Sequence, residues 1–60
     1  MFTIRTTTTD NKQYYSYNFD TMYGATHVAI GYVRHYPEVL QAEIINKTTN
    51  TVEKIFVKEK

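Results

Sequence analysis

Sixty residues make one domain at most, 1–60, and the lack of cysteine excludes disulfides, thiolate metal sites and a thiol nucleophile. Seven basic against six acidic residues leave a net charge of +1, too even to draw a polyanion by long-range attraction. A chain this short buries only about 60% of the surface its unfolded form exposes, so a partner subunit is the natural way to add to its core.

The N-terminal segment "FTIRTTTT" alternates Phe2, Ile4, Thr6 and Thr8 against Thr3, Arg5 and Thr7, which predicts a strand with one buried face. Asp10 and Asn11 then mark a turn. "QYYSYNF" resumes the alternation, with Tyr15, Tyr17 and Phe19 on the core side and Tyr14, Ser16 and Asn18 on the other. The first hairpin follows from that pattern.

Asp20 is the expected N-cap of a helix, with Thr21 as the competing cap. At about 100° per residue, Met22, Ala25, Ala29, Tyr32, Val33 and Tyr36 gather on one face, the stripe of an amphipathic helix. Pro37 disfavours helical backbone at Tyr36 and sets the end near His35 or Tyr36. "EVLQAEIIN" and "TVEKIFVKE" form a second hairpin around Lys47–Asn50, with Asn50 in the left-handed position. The glycosylation sequon at Asn46-Lys47-Thr48 is read as part of that turn. The expected register opposes Ile45 to Val52, Ile44 to Glu53, Glu43 to Lys54, Ala42 to Ile55 and Leu40 to Val57. Leu40, Ala42, Ile44, Ile55 and Val57 then face the core, and Glu43–Lys54 becomes a cross-strand ion pair.

These elements predict an α+β fold, β-β-α-β-β, with a four-stranded antiparallel sheet in the order 2-1-3-4 and one helix packed on one face. The rival order, 1-2-3-4, needs a parallel pair between the second and third strands.

The stretch "YGATHVAIGYVRHYP" holds both histidines, but His27 and His35 are eight residues apart, about 12 Å along a helix axis. Paired helical ligands sit at i and i+3 or i+4. Neither metal nor cofactor is expected. No nucleophile–base pair or close carboxylate pair appears, so the chain is expected not to be an enzyme. No apolar run reaches the ~18 residues of a membrane span. With no cysteine and no leader-like stretch, the expected location is cytoplasmic.

Three surfaces remain. The outer sheet face is expected to show Tyr14, Val39, Ile45, Val52 and Phe56, more apolar surface than a solvated face needs, and to support a homodimer or another protein contact. The outer helix face carries Gly24 and Gly31 seven residues apart, flanked by His27, Val28 and His35, and is the second candidate interface. A nucleic-acid interface would use Arg5, Tyr14, Lys54, Phe56 and Lys58, aromatics among cations on an open sheet. Glu43 weakens the field there. The favoured reading is a small non-enzymatic interaction protein, homodimeric, of a size that suits a phage or mobile-element product binding a host protein.

Overall fold

The computed structural model describes residues 1–58. Strands β1 (Phe2–Thr8) and β2 (Gln13–Tyr15) precede helix α1 (Met22–His35), and strands β3 (Val39–Asn46) and β4 (Thr51–Val57) follow it. The sheet is antiparallel throughout, in the order β2-β1-β3-β4, as the patterning predicts. Glu59, the last residue expected in the fourth strand, lies outside the described residues. Asn11 and Asn50 take the left-handed positions of the two hairpin turns, with φ of 64° and 58°.

Thr21, not Asp20, caps the helix. Its backbone is extended at φ −125°, ψ 150°, and its Oγ1 accepts the Gly24 N–H at 3.1 Å. At the other end Tyr36 is extended, as the residue before a proline must be. Lys58 reaches across from the end of β4 and donates to the carbonyls of Tyr36 and Pro37 at 2.8 and 3.0 Å. That covers polar groups the helix end would otherwise leave to water.

Ala25, Ala29 and Val33 of the helix are buried against Ile4, Val39, Ala42 and Ile44 of the sheet. Alanines at the contact let the helix lie close, so the core is thin. Among the described residues only Ile4 and Ile44 are large and fully buried. Phe2, Phe19, Met22, Val28, Tyr32 and Phe56 pack around them. Val28 therefore belongs to the core margin and not to the outer helix face where periodicity placed it.

Two extra residues decide which side chains see solvent. Thr7 pairs with Gln41 but Thr8 pairs with Val39, which leaves Leu40 bulged. Ile45 pairs with Val52 but Ile44 pairs with Lys54, which leaves Glu53 bulged. A one-residue slip moves every later side chain to the opposite face. Val39 accordingly turns into the core at 6% exposure, while Leu40 is 44% exposed. Phe56 lies opposite Ala42 and packs on the core, while Ile55 and Val57 turn outward at 55% and 62% exposure. The expected inner and outer residues of β4 are exchanged beyond Val52.

The second strand is interrupted in a related way. Tyr15 pairs with Arg5 and Tyr14 with Thr6, so Tyr14 is on the helix side and Tyr15 on the open side. Ser16 then breaks the ladder. Its Oγ accepts the Ile4 N–H at 3.0 Å and donates to the Tyr17 carbonyl at 2.8 Å, standing in for a strand carbonyl. Pairing resumes at Phe2 and Phe19 through N–O bonds of 2.8 and 2.7 Å. Phe19 packs on the core as its alternation predicts, but Tyr15 does not.

Candidate interaction surfaces

The open face of the sheet is built in rows that the register defines. Tyr15, Arg5, Glu43 and Ile55 form the central row, and Gln13, Thr7, Gln41 and Val57 the row beside it. Thr3, Ile45 and Val52 form the row towards the second turn. Arg5 donates to both carboxylate oxygens of Glu43, Nε to Oε1 at 2.8 Å and Nη2 to Oε2 at 2.9 Å. The pair that the β3–β4 hairpin was expected to supply with Lys54 is thus made with β1, because the Glu53 bulge carries Lys54 to Ile44.

Glu43 is buried, and its carboxyl is held below the ordinary value of 4.5, first by the hydrogen bond from Arg5 and then by its charge, against an opposing effect of burial. A carboxyl whose folded value is depressed adds stability that is complete above its unfolded value and disappears as pH falls through the folded one. Wild-type stability should therefore fall on acidification from neutral pH to below the folded value, as this pair is lost. Denaturant titrations across that range check this, and Glu43→Gln should have a flatter acid limb than wild type. Equal acid limbs would mean that the pair is not the source.

Apolar side chains lie along β4 beside this neutral pair. Val52, Ile55 and Val57 are 44%, 55% and 62% exposed. Ile55 and Val57 also border an open cleft of about 800 Å³ between β4 and α1, which Ile30, Val33 and Phe56 line with Arg34 and Lys58. The apolar surface therefore continues round the sheet edge to the helix.

The outer helix face is smoother. Gly24, with Thr21 Oγ1 3.4 Å from where a Cβ would stand, and Gly31, which would meet only the His35 ring at 3.9 Å, both have ordinary room for a side chain. Neither has positive φ. His27 is exposed and meets the Tyr23 ring edge-on at 4.6 Å, and His35 is exposed one turn beyond Gly31. Among the described residues no three histidine or carboxylate groups come together as a metal site would require.

The five residues expected at a nucleic-acid interface are not brought together. Arg5 is on the open face and engaged by Glu43, whereas Tyr14, Lys54 and Phe56 are on the helix side. Lys58 is engaged by the helix-end carbonyls. Of the expected protein-contact residues, Ile45 and Val52 share the open face, while Tyr14, Val39 and Phe56 do not. Ile55, Val57 and Tyr15 take their places. The exposed residues had a signal in the sequence, their β-branched or aromatic character, but their side depended on bulges with no glycine to mark them.

A second groove, of about 510 Å³, lies between the first hairpin and the end of the helix, with Tyr14, Tyr32 and Tyr36 in its walls. The Tyr32 and Tyr36 rings are 5.8 Å apart, tilted by 43°. Burial, followed by the neighbouring Tyr17 and Tyr36, raises the Tyr32 hydroxyl above its ordinary value and keeps it neutral.

Comparison with protein-family models, with curated proteins and with solved structures finds no match to this chain.

Proposed function

We propose that this chain is a small non-enzymatic interaction module of the cytoplasm that self-associates as a homodimer through the apolar surface along β4. The exposure of Ile55 and Val57, continuous with Val52 and with the cleft beside α1, carries this reading. A core with two large, fully buried side chains among the described residues gains from further apolar burial, at about 25 cal/mol per Å². The bidentate Arg5–Glu43 pair supports a contact across the open face, since both carboxylate oxygens keep their donors when water leaves.

Association by the face is favoured over strand pairing at the β4 edge. A bulge at Glu53 and a lysine on the helix side of an edge strand, here Lys54, both discourage the addition of another strand. Two stacked open faces remain the simpler arrangement.

Sedimentation tests the proposal. Wild type should be dimeric at high micromolar concentration, and Ile55→Asp monomeric with an unchanged circular dichroism spectrum. Monomeric wild type under those conditions would sink the reading. Dissociation by Gly31→Leu, with Ile55→Asp still dimeric, would instead assign the contact to the outer helix face.

A further inference from the structure

We propose that the groove between the first hairpin and the helix C-terminus is a binding site for an organic cation with a methylated ammonium head. Three tyrosines and two acidic residues line it: Tyr14 from β2, Tyr32 and Tyr36 from the helix end, Asp10 from the turn, and Glu38 from the segment before β3. Thr6, Thr8 and Val39 supply a neutral floor, and no cationic side chain lines the groove among the described residues. Aromatic faces attract a cation through their quadrupole, and carboxylates nearby add charge. Net charge is +1 for the whole chain, so this concentration of acid and aromatic groups is local.

The parts are held in place by the fold. Thr8 Oγ1 donates to one carboxylate oxygen of Asp10 and so directs that side chain back over the strand. The Thr9 N–H donates to the Glu38 carbonyl at 2.8 Å, which ties the hairpin turn to the segment after the helix. Tyr32 packs against the core, which fixes the inner wall, while Tyr14 and Tyr36 are about half exposed. Lys12 Nζ stands 3.9 Å from the other Asp10 oxygen, but both side chains are exposed and water screens the contact. A small hard metal ion is a poor occupant, because it requires several oxygens at short distance and no three histidine or carboxylate groups come together among the described residues. A trimethylammonium group has the size and the diffuse charge that such walls accept. The volume is within the range of small-ligand sites.

Two sources present this head group: free choline, and a trimethyllysine side chain on a peptide. Amide chemical shifts of the full chain, followed during titration with choline chloride, with a short trimethyllysine peptide and with sodium chloride at matched ionic strength, test the site. Saturable shifts at Thr8, Tyr14, Tyr32, Tyr36 and Val39 with choline or the peptide, absent with sodium chloride, are the expected result. The tighter of the two identifies the source. The neutral isostere 3,3-dimethylbutan-1-ol should bind at least about tenfold more weakly than choline. Tyr14→Leu and the Asp10→Asn/Glu38→Gln double variant, all at exposed positions, should each weaken choline without altering the fold. No saturable shift with either cation, equal binding of the neutral isostere, or unchanged affinity in the double variant would overturn the proposal. The dimer experiment reads a different surface, so either proposal can fail alone.

Discussion

Ile44→Ala should leave little cooperatively folded protein. Ile44 is wholly buried in β3, opposite Ile4 and in one core cluster with Ala25, Ala29 and Val33 of the helix. Truncating a buried isoleucine costs about 2–5 kcal/mol, the upper part of that range where neighbours cannot collapse into the space. The buried helix residues of this core are Ala25, Ala29 and Val33, and the larger helix side chains, Met22, Val28 and Tyr32, stand at its margin. A domain of this size has about 3–9 kcal/mol of stability in all. The truncation therefore removes most of what there is. Urea titration followed by circular dichroism should show a lost or strongly lowered midpoint, whereas Ile44→Val should cost about 1 kcal/mol and keep a cooperative transition. A transition for Ile44→Ala close to that of wild type would show that the core is larger than these contacts indicate.

The second large effect is expected at Phe56, where a charge tests the bulge at Glu53. With Phe56 packed on the core opposite Ala42, Phe56→Asp loses apolar burial and places a carboxylate against the helix side of the sheet. The expected cost is more than about 3 kcal/mol, enough to unfold much of the population. Ile55→Asp, one residue away on the solvent side, should lower monomer stability by less than about 1 kcal/mol. Thermal unfolding of the two variants at low micromolar concentration separates them. The opposite order, a stable Phe56→Asp and an unfolded Ile55→Asp, would mean that β4 pairs in the unbulged register.

The contrast between neighbouring residues shows how far the sequence can be read. Alternation in β1 places Phe2, Ile4, Thr6 and Thr8 together, and all four are at least half-buried. The helix stripe finds Ala25, Ala29 and Val33, and the asparagine at position 50 takes the expected left-handed turn. These features are local: a strand period, a helical period and one residue's backbone preference each act within a few positions. The strand order also follows, because a helix returning the chain lets β3 pair antiparallel with β1.

The candidate surface was less legible. Val39, Tyr14 and Phe56 were expected outside and are on the helix side, while Ile55, Val57 and Leu40 were expected inside and are exposed. Each error comes from a place where one residue leaves the ladder: Leu40, Glu53, and Ser16 with its hydroxyl standing in for a carbonyl. None of these is a glycine or a proline, so nothing in the local pattern marks the interruption. In β4 both readings are chemically sensible, since isoleucine, valine and phenylalanine can all face a core.

By itself, then, the amino-acid sequence determined the order of the elements, their order in the sheet and the centre of the buried helix face at Ala25, Ala29 and Val33, because periodicity and turn chemistry act over short range. It did not determine the margins of that face at Val28 and Tyr36. The tertiary structure decided which side of each strand meets solvent. It did so through the register shifts at Leu40 and Glu53, which turn Val39 and Phe56 to the helix side, and through Arg5, which pairs Glu43 with β1 rather than β4. Those are competitions between residues far apart in the chain, and their outcome exists only once the sheet and helix have met.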